Sequence, residues 1–531
     1  MSSLTQSPEW LKIEQNKKRL EQLTILDLFS QDQNRAHDFS LKFNDLFFDY
    51  SKNIIDKQTI SDLVDLTNAV GLKESIEAMF RGDKINFTEN RSVLHVALRD
   101  RSKDPLIIDG RDIKVEIQKV LGRMSEFSDS IRNKSFLGST GLPIKNIINV
   151  GIGGSDLGPL MASFALQDYA LHELNIQFVS NIDPNSLFHA IESLNPAETL
   201  FIISSKTFTT DETMTNAEGA KQWIVENLGP DSVNRHFVAV STNLEAVRSF
   251  GIDEDKMFEF WDFVGGRYSL CSAIGLSLMI SIGQENFYKM LDGFYAVDLH
   301  FKNSNLDQNI PVLLALISIF YINFYDVSSE AVIPYNENLK YLPLYLQQLT
   351  MESNGKRVDR NGDLLDYNSG SVVWGSQGTN SQHAYFQLLH QGTRVIPVDL
   401  IGFISGKFNQ RGKYQKKLLA NLLAQSRALA FGGPADNQSD FEHMPGNQPN
   451  NILLFDELNP YSLGELIAIY EHKTFVEGII WNINSFDQFG VNLGKEIAKD
   501  VYQSIDGGFS EKEFDQSTTE LINHIKNSST Q

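Results

Sequence analysis

The sequence contains a single cysteine, no excess of positive charge and no apolar run of membrane-spanning length. One cysteine among 531 residues, Cys271, excludes a disulfide within the chain and a metal site built from several thiolates, and it favours a reducing compartment. The 67 acidic and 46 basic residues give a net charge of -21, which argues against broad binding to nucleic acid or anionic membranes. An anionic ligand would therefore need a locally positive site.

The amino terminus also lacks the apolar core that follows a basic start in a secretory signal. We therefore expect the protein to stay in the compartment where it is made. The most apolar segment, IPVLLALISIFYINFY at residues 310–325, is shorter than the roughly 20 residues of a membrane span and contains Pro, Ser and Asn. It predicts a buried core helix, and no membrane partner is expected.

Two series of alternating strand and helix patterns follow a helical amino-terminal region. Residues 1–110 show helical periodicity and almost no strand signals. The first series of β-branched runs consists of KNIINV, IQFVSNI, TLFIISS and HFVAVST, and the second contains SVVWG and TRVIPVDLIGF. Such alternation predicts two doubly wound α/β domains, with residues 281–309 forming a boundary or crossing helix.

The first of these strands runs into a glycine-rich loop, KNIINVGIGGSDLGP, that precedes a predicted helix. A junction of this kind aims backbone N–H groups at an anion. The loop fails the dinucleotide fingerprint because Asp156 stands where a glycine is required, and it fails the Walker pattern because Pro159 follows Gly158. It therefore favours a small phosphate or sugar, while Ser155 could equally serve only as a helix cap.

A second loop, SSKTFTTDETMTNA, carries several hydroxyls and one ammonium group at the start of a predicted helix. Its candidate ligands for a phosphate are Ser205, Lys206, Thr207 and Thr210. A nest of hydroxyls and N–H groups can satisfy the acceptor oxygens of a monophosphate without a metal ion. Thr209 and Glu212 fit a capping box, so we expect Thr209 to serve the helix. Asp211 is an unexplained anion beside the expected phosphate.

Glu352 and Arg267 are candidates for proton transfer and charge stabilisation. In MESNGK, Glu352 lies where a predicted helix stops at Gly355, and the negative end of the helix dipole makes such a carboxylate hold its proton more readily. That property suits a general base, although the segment alone favours a solvated glutamate, since most glutamates are exposed. In VGGRYSLCSAIG, Arg267 follows two glycines, which fit either close approach to a ligand or an ordinary surface turn.

Two further candidates lie nearer the carboxyl end. His383, in the first turn of a helix predicted within GSQGTNSQHAYFQLLHQG, should be neutral and able to exchange protons, with His390 as its competitor. Lys495 and Gln488 lie on the polar face of a helix predicted within FDQFGVNLGKEIA, opposite an apolar stripe expected to face the core. Lys495 there is either solvated or substrate-facing. Neither histidine has a metal-ligand companion at a useful spacing, so we expect no metal.

Six of these segments resemble the phosphoglucose isomerase (glucose-6-phosphate isomerase) family and follow its order over residues 145–500: GIGGSDLGP, SSKTFTTDETMTNA, VGGRYSLCSAIG, MESNGK, GSQGTNSQHAYFQLLHQG and FDQFGVNLGKEIA. The resemblance implies two sugar-isomerase-type three-layer α/β/α sandwiches with parallel sheets. The implied divisions are a helical N-terminal region (1–110), a smaller phosphate-binding domain (111–285), a larger domain (286–505) and a C-terminal arm (506–531). It also implies a cytoplasmic homodimer that converts glucose 6-phosphate to fructose 6-phosphate reversibly, without cofactor or metal.

The resemblance further implies a role for each matched residue. Glu352 is similar to the base that moves a proton between C2 and C1 through a cis-enediol, and Arg267 to the cation that stabilises the enediolate. His383, contributed across the subunit interface, is similar to the ring-opening acid/base, and Lys495 to its partner at the ring oxygen. The implied substrate-binding residues are Gly154, Ser155, Ser205, Lys206, Thr207, Thr210 and Gln488. Asp211 departs from the uncharged Gln that is common in the family.

The alternative function is a non-catalytic sugar-phosphate sensor of the same fold. Such a sensor would keep the hydroxyl-rich loop and lack the base, so the joint presence of the four catalytic candidates argues against it. A nicotinamide-dependent oxidoreductase ranks third, because the glycine-rich loop fails the dinucleotide fingerprint.

Overall fold

The structure, a computed structural model, describes residues 4–408, 412–433, 439–507 and 513–529. These residues belong to two compact units, Met1–Ser485 and Phe486–Gln531. The strands of the first unit are β1 (Ser40–Phe43), β2 (Leu46–Lys52), β3 (Ile107–Ile108), β4 (Arg111–Asp112), β5 (Asn146–Val150), β6 (Asn175–Val179), β7 (Thr199–Ser204), β8 (Phe237–Val240), β9 (Met257–Phe258), β10 (Ser329–Pro334), β11 (Val372–Trp374), β12 (Val398–Ser405) and β13 (Asn450–Glu457).

The helices of the first unit surround its sheets. They are α1 (Pro8–Leu20), α2 (Ile25–Gln31), α3 (Arg35–Asp38), α4 (Lys57–Ala69), α5 (Leu72–Arg81), α6 (Ile113–Arg132), α7 (Leu157–Ala165), α8 (Pro184–Ile191), α9 (Asp211–Leu228), α10 (Val233–His236), α11 (Leu244–Phe250), α12 (Leu276–Ile282), α13 (Gln284–Asn303), α14 (Ile310–Phe324), α15 (Leu342–Gln347), α16 (Phe386–Gln391), α17 (Gly412–Phe431) and α18 (Pro460–Ile480). The expected crossing helix at 281–309 is confirmed, since α13 occupies most of that stretch.

The smaller sheet confirms the first predicted series of strands. Its described strands are all parallel, in the order β6-β5-β7-β8-β9. Ile147, Ile148 and Val150 of β5 are fully buried, because helices cover both faces of a parallel sheet and leave no solvated side. Continuous β-branched runs of this kind are therefore what the sequence should show.

The larger sheet is mixed, and part of it was not expected from the sequence. Strands β13, β12, β10 and β11 are parallel neighbours, which confirms the second predicted series. The hairpin β1–β2 adds two antiparallel strands beside β13, so the expectation of a region without strands at residues 1–110 is wrong. Asn44, with a left-handed φ of 49°, makes the hairpin turn. Leu46, Phe48 and Tyr50 alternate inward along β2, a period-2 pattern hidden among helical neighbours.

Helix α14 confirms the predicted core helix, because its residues are buried from Ile310 to Ile322. Within the described ranges, no helix combines the length and apolarity needed to cross a bilayer. Cys271 is also buried, as expected, and burial raises the pKa of its thiol to about 12.

Among the parallel strands of each sheet there is a point where the strand order reverses, between β5 and β7 in the smaller sheet and between β10 and β12 in the larger. Ligands of open α/β sheets bind outside the carboxyl ends of the strands at such a point. In the smaller sheet, the loops that leave β5 and β7 there are the glycine-rich loop at 151–155 and the hydroxyl-rich loop at 205–210. The topology therefore brings together the two segments that the sequence singled out for an anion.

The second unit contains α19 (Asn492–Ile505) and α20 (Gln516–Ser529). The predicted helix after FDQFG is confirmed, but the expected burial of its apolar stripe is wrong. Phe489, Leu493 and Ile497 are 57%, 66% and 42% exposed. Amphipathicity alone indicates a face that avoids water, and it does not say which surface covers that face.

Candidate active site

The glycine-rich loop packs its backbone against the loop that carries Arg267. After β5 the chain makes a tight turn at Gly153–Ser155, and α7 follows. A Cβ added at Gly154 would lie 2.1 Å from the backbone oxygen of Gly266 and 2.7 Å from the nitrogen of Arg267. Only glycine permits so close an approach. Ser155 makes no capping bond to α7, whose N-cap position is Asp156, so the structure gives no support to a purely capping role.

The hydroxyl-rich loop forms a compact turn between β7 and α9. Ser205 Oγ accepts a hydrogen bond from the backbone N–H of Phe208 at 3.1 Å and lies 3.3 Å from Thr210 Oγ1. Phe208 is buried and has a left-handed φ of 55°, a costly conformation for a bulky residue. Backbone strain of this kind is concentrated at functional sites.

The start of α9 differs from the sequence prediction. The helix begins at Asp211, with Thr210 as N-cap, and the Thr210 side chain makes no capping bond. Thr209 donates instead to Thr207 Oγ1 at 2.8 Å, so the expected capping box is wrong. The first turn of α9 therefore has N–H groups without a side-chain cap beside the hydroxyls, which favours an anion.

Lys206 supplies the positive charge of this loop. Its Nζ lies 3.1 Å from Asp262 Oδ1 and 3.3 Å from the Asp262 carbonyl oxygen. Burial lowers the pKa of Lys206, and the charge of Asp262 opposes that shift. The backbone oxygen of Lys206 accepts hydrogen bonds from the hydroxyls of Ser241 and Thr242, which fix the turn. We call the group Ser155, Ser205, Lys206, Thr207 and Thr210 the cradle.

Glu352 lies in a π-helical turn, Gln348–Glu352, that continues α15. The helical conformation ends at Asn354, which confirms the predicted stop at Gly355. Glu352 Oε2 accepts a hydrogen bond from Gln348 Nε2 at 3.0 Å and lies 3.4 Å from Arg267 Nη1. Its side chain is 22% exposed, so the interpretation as an ordinary solvated glutamate is wrong. π-Turns inside helices are often found at functional sites.

Arg267 is buried, with 1% of its side chain exposed, so the alternative of an ordinary surface arginine is wrong. Its Nε donates to Ser353 Oγ at 2.6 Å, and its Nη2 donates to the backbone oxygen of Ser485 at 2.6 Å. Tyr345 donates a hydroxyl hydrogen bond to the Arg267 carbonyl at 3.3 Å. The guanidinium is therefore held beside the Glu352 carboxylate in a site of low solvent access, where charge interactions are strong.

The two histidines have different surroundings. His383 ends a short 3₁₀ turn, Ser381–His383, and α16 begins only at Phe386, so the predicted placement in the first turn of the helix is wrong. Its side chain is exposed and makes no hydrogen bond or ion pair with the residues that the structure describes. The competitor His390 is held by Gln425 Oε1 at 2.9 Å, which indicates a structural role.

Gln488 and Lys495 belong to the second unit and are exposed there. The roles assigned to them from sequence stay predictions. Over the described residues, no group of three or more His, Cys, Asp or Glu side chains is placed to hold a metal ion.

Comparisons with known proteins decide the family. The family model for phosphoglucose isomerase matches residues 49–522. The chain belongs to the phosphoglucose isomerase family. The glucose-6-phosphate isomerase of Helicobacter pylori (strain Shi470) is 48% identical over 542 aligned residues, covering 99% of each chain. That of Nitrosospira multiformis is 48% identical over 533, covering 98% of each. A crystal structure of a glucose-6-phosphate isomerase from Chlamydia trachomatis has a TM-score of 0.89 at 33% identity, covering 99% of this chain and 100% of that one.

Within this phosphoglucose isomerase family member, two contacts of the site were not singled out from the sequence. Gln348 lies one helical turn before Glu352, and the i, i+4 spacing is a signal that could have found it. Ser353 contacts Arg267 from a distant part of the chain, and no local pattern predicts that pairing.

Proposed function

We propose that the chain interconverts glucose 6-phosphate and fructose 6-phosphate by proton transfer between C2 and C1. The observation that carries the proposal is the distance of 3.4 Å between the Glu352 carboxylate and the buried guanidinium of Arg267. An aldose-ketose shift needs one base and one fixed cation side by side, because the proton must leave carbon while charge develops on oxygen.

In the proposed step, Glu352 removes the proton from C2 of the open-chain sugar. The electron pair of that C–H bond forms the C1–C2 double bond, and the C1 carbonyl oxygen takes up negative charge opposite Arg267. Glu352 then returns the proton to C1, the C2 oxygen becomes the carbonyl of the ketose, and its hydroxyl proton passes to the C1 oxygen. Gln348 holds the carboxylate through its hydrogen bond to Oε2.

The cradle binds the phosphate in this proposal, together with backbone N–H groups near Gly154. Several hydroxyls, the uncapped start of α9 and the Lys206 ammonium suit a doubly charged monoester. The phosphate lies at the far end of the substrate from the reacting carbons. Its binding energy therefore serves to orient C1 and C2 rather than to change their chemistry. No metal or cofactor is required by these steps.

Ring opening is assigned to His383 and Lys495, with Gln488 as a further substrate contact, in a cytoplasmic homodimer whose sites receive His383 from the neighbouring subunit. The exposure of His383 and of the apolar stripe Phe489, Leu493 and Ile497 supports a subunit interface. A mixture of Glu352→Gln and His383→Ala subunits tests the sharing. Hybrid dimers would hold one intact site and recover activity, and a mixture that stays inactive would contradict it.

Proton NMR of chelator-treated protein with glucose 6-phosphate in heavy water tests the function itself. Appearance of fructose 6-phosphate with loss of the C2 proton signal is the expected result. Binding without product or exchange would contradict the isomerase and favour a non-catalytic sugar-phosphate sensor. Membership of the isomerase family does not favour that alternative.

A further inference from the structure

Ser353 directly follows Glu352 in the chain, and its side chain is completely buried. Its Oγ lies 2.6 Å from Arg267 Nε and 3.0 Å from Tyr268 Oη. A guanidinium can only donate hydrogen bonds, so the Ser353 oxygen is the acceptor in the contact with Arg267. A hydrogen bond from a charged donor to a buried acceptor is among the stronger ones in proteins.

This hydrogen bond fixes one of three nitrogens of the Arg267 guanidinium. Nη2 is fixed by the backbone oxygen of Ser485, and Nη1 is directed at Glu352 Oε2 at 3.4 Å. The hydrogen bonds at Nε and Nη2 together restrict the plane of the guanidinium and its rotation within that plane, and the Tyr268 side chain is a further hydrogen-bond partner of Arg267. Loss of the Ser353 acceptor would remove the restraint at Nε and therefore loosen the direction in which Nη1 points.

The backbone around Ser353 is itself held firmly. The next residue, Asn354, is fully buried and donates from Nδ2 to Glu477 Oε2 at 3.0 Å. Its Oδ1 accepts a hydrogen bond from Ser485 Oγ at 2.7 Å, so the same segment also supports the second anchor of Arg267. Arg267, by contrast, follows two glycines, which offer no side chain to orient it.

We propose that Ser353 is a positioning residue that sets the direction of Arg267 relative to the base. Glu352 and Ser353 share one peptide unit, so the cation is aligned to the carboxylate itself rather than to its own loop. The proposal rests on the proposed function through the role of Arg267 at the enediolate. Ser353 should affect the stabilisation of the charge that develops on the enediolate oxygen, and it should not affect binding of the phosphate.

Two substitutions of Ser353 test the proposal. Ser353→Ala removes the acceptor, and Ser353→Cys keeps the branching of the side chain but replaces the oxygen by a larger and much weaker acceptor. We expect kcat to fall about 10- to 100-fold with KM changed less than about threefold, because the lost contact acts in the transition state. Ser277→Ala is the matched control, since Ser277 is also completely buried and its hydroxyl has no partner among the described residues. Thermal unfolding shows which variants are folded.

Two inhibitors separate positioning from a general loss of structure. A sugar-phosphate hydroxamate mimics the enediolate, whereas an alditol 6-phosphate has the phosphate but no carbonyl. Ser353→Ala and Ser353→Cys should weaken binding of the hydroxamate by about the factor lost in kcat and leave alditol phosphate affinity within about twofold. Equal losses for both inhibitors, or an unchanged kcat in both variants, would overturn the proposal.

A double-mutant cycle with Arg267→Ala distinguishes a failure of the positioning role of Ser353 from a failure of the proposed role of Arg267. If Ser353 acts through Arg267, Ser353→Ala should cost less than about threefold in kcat once Arg267 is absent. If Arg267→Ala lowers kcat and Ser353→Ala adds its full loss on top, the positioning role is wrong and the proposed function stands. If Arg267→Ala keeps the wild-type kcat, the proposed role of Arg267 is wrong and the positioning role falls with it.

Discussion

The two halves of the candidate site are built differently. Arg267 is buried beside the partly exposed Glu352, and hydrogen bonds from distant parts of the chain fix the guanidinium on several sides. In the cradle, Ser205 is buried but Thr207 is exposed, Lys206 is held by one exposed carboxylate, and the contacts of the Ser205 and Thr207 hydroxyls are with groups of the same loop. We call the half around Arg267 the rigid half, because buried hydrogen bonds hold its guanidinium, and we call the cradle half-open, because part of it is exposed to solvent.

This difference matches what each half has to do in the proposed reaction. Stabilising charge that exists only in a transition state requires donors already in place, because reorganisation at that moment would add to the barrier. A phosphate carries its charge permanently and can draw hydroxyls and an ammonium group around itself on binding. Damage to the rigid half should therefore appear in kcat, and damage to the half-open cradle in KM.

Glu352→Gln should have the largest effect on the rigid half, because it removes the proposed base. The amide keeps the shape of the side chain and loses the base, so we expect kcat to fall by at least about 10³-fold while substrate still binds. Steady-state kinetics and equilibrium binding of an alditol 6-phosphate measure the two quantities. Glu337→Gln, which changes an exposed glutamate elsewhere in the same unit, is the control. Turnover near the wild-type rate would show that Glu352 is not the base.

Gly154→Ala should disrupt the close contact between the glycine-rich loop and the loop that carries Arg267. The new methyl would lie 2.1 Å from the Gly266 oxygen and would displace the backbone that carries Arg267, so kcat should fall roughly 100-fold. Gly158→Ala is a close control, because a Cβ there meets its nearest neighbour at an ordinary 3.5 Å. Equal activities of the two variants would mean that the loop contact does not set the position of Arg267.

Lys206→Ala should affect the other half alone. We expect KM to rise about tenfold and kcat to change less than about threefold, since the phosphate contact is made equally in substrate and transition state. Lys119→Ala removes an exposed lysine of α6 and controls for the change in net charge. A fall in kcat at unchanged KM would place Lys206 with the rigid half and contradict the comparison.

The pH dependence of KM tests whether the charge of Lys206 contributes to phosphate binding. Burial lowers the pKa of Lys206, so its charge is lost as pH rises through a value below the usual lysine pKa of about 10.4. The sugar phosphate remains a dianion above pH ~8, because its second pKa is about 6. KM of the wild type should therefore begin to rise below the usual lysine pKa, whereas KM of Lys206→Arg should stay flat over the same range. Parallel profiles would contradict the assignment.

The sequence predicted the cradle better than the rigid half. Ser205, Lys206 and Thr207 are consecutive, and a strand-loop-helix pattern is local, so the arrangement follows from spacing alone. The surroundings of Arg267 depend on Ser353 and Ser485, which lie 86 and 218 residues away in the chain. Contacts at such separations are set by the packing of the whole unit, and no local pattern in a single sequence predicts them.

The same reasoning explains the errors in the fold. Buried parallel strands carry continuous β-branched runs, and they were predicted correctly. The hairpin β1–β2 is not predicted, because the exposed Phe47 masks the alternation of apolar and polar residues, Asp49 interrupts the apolar run, and the pairing with β13 joins residues some 400 positions apart. The apolar stripe of α19 predicts a core face, because periodicity reports amphipathicity and does not identify the surface that covers the stripe.

A final substitution, Asp156→Asn, tests whether a buried carboxylate next to Ser155 of the cradle lowers the stability of the protein. Asp156 is 5% exposed, no described donor reaches its Oδ1, and burial raises the pKa of the carboxyl to about 6. Below the unfolded-state pKa of about 3.8 the Asp156 carboxyl is neutral in both states and does not lower the free energy of unfolding. Between pH 4 and 6 it ionises in the unfolded chain before it ionises in the folded one, so the free energy of unfolding of the wild type falls by up to about 3 kcal/mol.

Asp156→Asn should therefore unfold a few degrees above the wild type at pH 7–8, with the difference shrinking toward pH 4. Thermal unfolding across this range measures the effect, and Asp231→Asn, at an exposed position, should show no such trend. A constant difference at all pH values would mean that the buried charge is not its source. A stability gained by removing a poorly paired group would set the cradle apart from the rigid half, where replacing Ser353 by alanine removes a formed hydrogen bond and should lower stability.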